Sequence, residues 1–327
     1  MTTTPSSPAG LQVSDKLASA VYQGLMSSPR WLPSWLFYDS AGSRLFDEIT
    51  RTAEYYVTRT ERAILAAYGS EMVARAAEER VLRLVELGAG SADKTRLLLT
   101  AAVARQDTVF YEPVDVSSSA LVEAQIRIEE EIPGVLVCPR VEDYTQDLEL
   151  EPTLPTERRL LLYIGSSIGN FEPGESLLLL ERVRAALDPG DCMLLGVDLV
   201  KNEGVLEAAY DDAAGVTAAF NRNVLVRLNR EAAANFDTDA FAHQVVWNDA
   251  ASRIEMHLVS LADQQVRVAG HVIRFSRGET IHTENSYKYD ADRLAGLAEE
   301  AGWHCAELWT DQARLFSLHL LEPRQGP

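Results

Sequence analysis

From Val81 to Val200 the hydrophobic positions fall in short blocks separated by longer amphipathic stretches. The blocks VLRLVEL, TVFYEPVDV, VLVCPR, LLLYIGSS and CMLLGVDLV read as strands, and the stretches near 92–105, 117–130 and 174–187 as helices. Apolar strands alternating with helices predict βαβ units and a parallel sheet covered on both faces. After Val200 the period changes. YDDAAGVTAAFNRNVLVRLNREAAA is helical, and HQVVWN, RIEMHLVSL, QQVRVAG and HVIRF alternate with period two, which predicts helix followed by an antiparallel meander. A helix near 291–302 and the strands HCAELW and LFSLHLLEP return to the first pattern. The expected fold is therefore α/β, with an α+β domain at 201–286 inserted into a sheet domain made of 61–200 and 287–327.

Residues 1–10 are small and polar and are expected to be a disordered leader. The segment 11–60 is expected to carry N-terminal helices and an aromatic cap, beginning with a helix from Ser14 to Met26 that places Leu17, Val21 and Leu25 on one stripe. Residues 31–61 then pack two Trp, three Tyr and two Phe into a stretch with no strand period. Thr58 with Glu61 reads as a capping box opening a helix whose buried side holds Ile64, Leu65, Tyr68, Met72 and Val73.

Charge narrows the function. Thirty Lys+Arg against 49 Asp+Glu give −19, which disfavours nucleic acid and anionic membranes as partners. The start lacks the basic and apolar regions of a secretory signal and no apolar run reaches a membrane span, so a cytoplasmic protein is expected. Cys138, Cys192 and Cys305 are odd in number and far apart, as expected of buried small hydrophobes. The six histidines show no metal-ligand spacing, and no metal is expected.

The chemistry begins at RLVELGAGSADKT, residues 83–95, where a strand runs through Gly88 and Gly90 into a helix start. Such a turn lies at the carboxyl edge of a parallel sheet, where ligands bind. Position 93 is Asp where a dinucleotide loop would have its third glycine, and ADKT lacks the Gly-Lys-Ser/Thr of a phosphate loop. Glu86 and Asp93 would also repel phosphate. The loop, E-x-G-x-G with an acid at the strand end, instead resembles that of the Rossmann-like S-adenosylmethionine-dependent methyltransferases. Their donor is a sulfonium cation with an ammonium group, which suits acids. The resemblance implies a donor site of Gly88, Ala89, Gly90 and Lys94, with Asp115 at the ribose hydroxyls and Asp143 and Tyr144 at the adenine.

Six further fragments, FYDSAGSRLFDEIT, EYYVTRTE, GSSIGN, YDDAAGVTAAFNRN, RIEM and TENS, resemble in order and spacing one family, the L-histidine Nα-methyltransferases of ergothioneine biosynthesis. The resemblance runs from about residue 14 to the end, weakly around 145–158. It implies a Rossmann-like methyltransferase sheet with an inserted substrate domain, a monomer, and trimethylation of free L-histidine with S-adenosylhomocysteine as by-product. It implies that Gly165 and Asn170 lie beside the substrate amino and carboxylate groups, Tyr210 at the carboxylate with Thr217 as neighbour, and Tyr38, Phe46 and Tyr55 in an aromatic pocket. Tyr55 and Asn170 would orient the reacting amine. Glu284 and Ser286 would contact the imidazole, with Met256 lining its pocket; a carboxylate and a hydroxyl suit a ring with two nitrogens. Taken without the resemblance, Asn170 also fits a loop or helix cap before Pro173, Glu284 an exposed strand carboxylate, and Trp31 and Phe46 simple core packing. Met256 and His257 adjoin on a period-two strand, so one should face inward and the other outward.

Overall fold

The structure, a computed structural model, describes residues 15–146 and 148–324; the leader at 1–10 and the helix start at Ser14 lie outside the described residues. The chain divides into two compact units, one of residues up to Tyr55 together with Glu203–Asn285, the other of Tyr56–Asn202 together with Ser286–Pro327.

The second unit is built on a sheet in the order Trp303–Thr310, Phe316–Pro323, Cys192–Asp198, Glu157–Tyr163, Val81–Leu87, Val109–Asp115, Val135–Val137, with Arg140–Val141 also on the Val109–Asp115 strand. All neighbours from Cys192–Asp198 to Val135–Val137 are parallel, and Phe316–Pro323 joins antiparallel through Phe316 to Leu321. Parallel strands buried on both faces need uninterrupted apolar sequence. Cys192–Asp198 meets that demand, with all seven residues buried. The helices Arg96–Gln106, Ser118–Glu131 and Pro173–Ala186 supply the crossovers. Strand order reverses direction between Val81–Leu87 and Glu157–Tyr163, so the two loops leaving their carboxyl ends, at Gly88 and Gly165, flank the switch point where open α/β sheets bind ligands.

The first unit holds a four-stranded sheet ordered Arg30–Trp31, Thr280–Tyr287, Arg253–Ser260, Phe241–Asn248, and a hairpin of Gln264–Val268 with His271–Phe275. Arg253–Ser260 alternates strictly between half-buried and buried positions, as its sequence period demands: Ile254, Met256 and Leu258 are buried, and Glu255 and His257 point the other way. Helices Glu203–Tyr210 and Val216–Glu231 pack on this sheet. Asp212 starts the second of them by accepting from the backbone N–H groups of Val216 (2.9 Å) and Thr217 (2.7 Å). No helix among the described residues is long and apolar enough to cross a membrane.

Some local expectations do not hold. The helix carrying Thr58 and Glu61 starts at Tyr56 and runs to Ala77, so both lie inside it and no capping box opens it there. Ile64, Leu65, Met72 and Val73 are buried but Tyr68, on the same helix face, is 39% exposed. Of the cysteines only Cys192 is buried; Cys138 and Cys305 are exposed. Trp31 is also exposed, which rules out simple core packing.

Candidate active site

In the sheet unit, the loop after Val81–Leu87 is held in an unusual backbone shape. Gly88, Gly90 and Ala92 all have positive φ (68°, 50° and 50°), which glycine adopts freely and alanine only under constraint. The Gly88 N–H donates to the Val114 carbonyl at 2.8 Å, and the Gly90 N–H donates to Asp115 Oδ2 at 2.9 Å. Asp115 Oδ1 accepts from Ser117 N at 2.9 Å, so the acid at one strand end fixes the loop of the next. A Cβ at Gly90 would meet nothing within 4 Å, whereas one at Gly88 would stand 3.3 Å from the Tyr144 hydroxyl. Tyr144 and Asp143 are thereby brought to the same sheet edge as the glycine loop. Asp143 accepts from the Thr145 N–H and hydroxyl, and the Tyr144 ring stands edge-on to Tyr163 with centroids 5.9 Å apart. Burial pushes the Tyr144 phenol up to about 12, so the group stays a neutral donor.

Glu86 is not open to a ligand. It is buried and takes hydrogen bonds from the Thr95 hydroxyl (2.7 Å) and the Tyr111 hydroxyl. Asp93 pairs with Arg62 and Arg96. The acid of the loop motif therefore serves to lock strand to helix. Desolvation raises the Glu86 pKa to about 7, against opposing hydrogen bonds from Tyr111 and Thr95. A carboxyl whose folded pKa lies above its unfolded value stabilises the fold while protonated and loses that contribution as pH rises from about 4.5 to about 7. Glu86→Gln should remove this slope, raising stability at pH 8 relative to wild type by up to about 3 kcal/mol. Urea midpoints measured at pH 5 and pH 8 check it: the Gln variant should gain only at the higher pH.

Lys94 reaches the end of the neighbouring parallel strand. Its ammonium pairs with Glu61, and Glu61 Oε1 accepts from the Gly165 N–H at 2.8 Å. Gly165 has φ +84°, and a Cβ there would stand 3.1 Å from Lys94 Nζ. The loop continues through Ser166, also at positive φ, whose hydroxyl accepts from Asp198 N at 2.9 Å. Asn170 ends the short helix Ser167–Asn170. The cap of the next helix is Glu172, with Glu175 completing a capping box, so Asn170 is not consumed as the cap. At Gly169 a Cβ would lie 2.8 Å from the Tyr287 carbonyl, which fixes this loop against the segment following Ser286.

In the other unit the structure joins four of the expected aromatic residues edge to face. Centroids of Tyr38 and Phe46 are 6.1 Å apart, Phe46 and Tyr55 6.3 Å, and Tyr55 and Tyr210 6.2 Å. Phe220 anchors the row, 6.0 Å from Phe46 and stacked at 4.5 Å on Phe37. Asp39 caps the helix Ser40–Ile49 that presents Phe46, accepting from Gly42 N, and also takes bonds from Asn223 and Arg230. Thr217 is buried at the helix start that Asp212 holds.

A polar network behind this row was not legible in the sequence. The His243 Nε2–H donates to the Tyr210 carbonyl (2.9 Å), and His243 Nδ1 accepts from Asn221 Nδ2 (2.9 Å). Asn221 Oδ1 accepts from the Thr283 hydroxyl, which also reaches the Met256 carbonyl at 3.0 Å. Burial lowers the His243 pKa and keeps the ring neutral, as this pattern requires. The network ties Tyr210, Met256 and the strand of Glu284 into one frame. Met256 is 1% exposed and Glu284 9%; the reading of Glu284 as an exposed strand carboxylate is excluded. Ser286, two positions on, is buried as well, and its hydroxyl accepts from Lys288 Nζ at 2.8 Å. Linear spacing did not reveal that Glu255, His257 and His282 form a group whose ligand atoms lie within 4.8 Å of one another.

Comparison with known proteins is consistent across nearly the whole chain. The model of the family described as histidine-specific methyltransferase, SAM-dependent, matches residues 17–323. The chain is 43% identical to the histidine N-alpha-methyltransferase of Mycolicibacterium smegmatis over 94% of each protein, and 43% identical to that of Mycobacterium tuberculosis over 92% of each. It is 30% identical to ergothioneine biosynthesis protein 1 of Neurospora crassa over 90% of this chain, which corresponds to 33% of that longer protein. The chain therefore belongs to the S-adenosylmethionine-dependent, histidine-specific methyltransferase family.

Proposed function

We infer that this protein transfers methyl groups from S-adenosylmethionine to the α-amino nitrogen of L-histidine, three in succession, giving N,N,N-trimethylhistidine (hercynine) as the first step of ergothioneine biosynthesis. The observation that carries the choice of histidine is Glu284: a carboxylate only 9% exposed, two positions along one strand from the buried Ser286 hydroxyl. That pair can accept and donate at a ring bearing two nitrogens, and an analogue lacking those nitrogens forfeits the hydrogen bonds.

The sheet edge fits the methyl donor. Its glycine loop leaves open space at Gly90, and Asp115 offers a carboxylate at the ribose position. Bound S-adenosylmethionine supplies a methyl group already activated on a sulfonium, so the chain's work is alignment and desolvation. Asn170 carries both an acceptor and two donors and serves the amino and carboxylate groups of the amino acid together. Tyr210, held through its carbonyl by His243, serves the carboxylate, and Tyr55 orients the amine as its hydrogens are replaced. Each round starts when the ammonium nitrogen gives a proton to water; the freed lone pair then forms the new N–C bond as the C–S electron pair returns to sulfur, and the third round ends at a quaternary nitrogen with no proton left to lose.

Separate titrations test the assignment. Asp115→Ala should weaken S-adenosylhomocysteine binding by about 10- to 100-fold, the worth of a charge-assisted hydrogen-bond pair, while leaving histidine affinity in the presence of donor nearly intact. Asn170→Ala and Tyr210→Phe should do the reverse. Exchanged effects would refute the division of roles.

A further inference from the structure

We propose that Glu255, His257 and His282 form a binding site for a first-row divalent transition ion of the zinc type, a site separate from the methyl-transfer residues. The three side chains come from neighbouring strands of the first unit's sheet, Arg253–Ser260 and Thr280–Tyr287, and their ligand atoms lie within 4.8 Å of one another. Ligands at 2.0–2.2 Å from a tetrahedral zinc stand roughly 3.4 Å apart, so small side-chain rotations close the set. Two imidazoles and one carboxylate form a donor set for zinc, cobalt, nickel or copper; magnesium and calcium take oxygen ligands.

The surrounding bonds are those of a supported ligand set. His282 Nε2–H donates to the Glu284 carbonyl at 3.0 Å, which in the neutral ring places the lone pair on Nδ1. Glu255 Oε1 is held by Arg253 (2.8 Å to Nε, 2.7 Å to the terminal nitrogen) and by Asn248 Nδ2 (2.8 Å), leaving Oε2 facing His257 Nε2 at 3.0 Å. His257 Nδ1 is buried with no hydrogen-bond partner among the described residues. The two rings stack with centroids 4.7 Å apart. The side chains of Glu255 and His257 are 13% and 14% exposed, open enough to admit an ion and dry enough to hold it. Arg253 takes up part of the carboxylate charge, so affinity should be lower than at a thiolate site. A bound ion would clip together two strands, one carrying Met256 and the other Glu284.

The test uses the full chain, stripped with a chelator and titrated with Zn²⁺ by calorimetry and with Co²⁺ by absorbance. One equivalent of each should bind, Mg²⁺ at the same concentration should not, and zinc should raise the thermal midpoint. His257→Asn, His282→Asn and Glu255→Gln should each weaken zinc binding by more than about 10-fold. S-adenosylhomocysteine titration of the same samples reports that they are folded. Absence of stoichiometric zinc binding would overturn the proposal, as would binding that survives in the histidine double variant. A sulfur-to-cobalt charge-transfer band in the wild-type spectrum would also overturn it, by assigning the ion to the exposed Cys138 or Cys305.

Discussion

Asp198→Asn should cost the sheet unit about 3–5 kcal/mol, the largest stability loss expected of any single substitution considered for this chain. Asp198 is fully buried and meets two ammonium groups, Lys201 and Lys288, the latter at 2.8 Å, together with the Tyr56 hydroxyl at 2.8–2.9 Å. Burial would raise the Asp198 pKa, but Lys288 and Lys201 hold it below the usual carboxylate range. Asn keeps the shape and removes the charge, leaving two cations without their counter-ion. Burial already pulls Lys201 down to about 8, against the pull of Asp198 in the other direction. In the variant Lys201 should shed its proton near neutrality while the unfolded chain keeps it to about 10. Stability of the variant should thus rise with pH between about 7 and 10, because there the unfolded state binds more protons. Thermal melts of wild type and variant across that range check it: a gap that stays constant with pH would show that the network does not depend on the carboxylate charge.

Glu284→Ala should lower kcat/KM for histidine by about 10- to 100-fold while leaving S-adenosylhomocysteine affinity and the thermal midpoint within error of wild type. Glu284 is only 9% exposed, and its strand neighbour Thr283 is tied to Asn221 and to the Met256 carbonyl, so the backbone that presents the carboxylate is held in place. Specificity should loosen in parallel, since the carboxylate proposed to select the imidazole is gone. A variant that lost stability but kept its preference for histidine would mark Glu284 as a structural residue.

Elements with strong periodicity were legible in the chain itself. The blocks from Val81 to Asp198 and the alternation of Arg253–Ser260 came through because burial on two faces or one face writes directly into side-chain polarity. Glu61 was misread because Thr-x-x-Glu is the same string whether it opens a helix or lies inside one; only the partners Gly165 and Lys94, 104 and 33 positions away, tell the cases apart. The role of the motif acid Glu86 was hidden for a related reason, since sequence cannot show that Thr95 and Tyr111 enclose it. His257 and His282 are 25 positions apart and become neighbours only through strand pairing, which linear spacing does not encode. Asp198 did carry a signal, as a charge set in the apolar run CMLLGVDLV, and such residues are rarely buried unless paired; Lys288, between Tyr287 and Tyr289 in a polar stretch, carried none. The roles of Tyr55, Asn170, Tyr210 and Ser286 rested on resemblance, because nothing in their local pattern distinguishes a substrate contact from a packed or capping side chain.

Incubation of the purified protein with S-adenosylmethionine and an equimolar mixture of the twenty amino acids, followed by mass spectrometry, tests the central claim most directly. The account predicts that histidine alone gains mass, in steps of one methyl group up to three, with the label on the α-nitrogen. Methylation of tryptophan or tyrosine in preference to histidine, or methyl groups found on the imidazole ring, would contradict it.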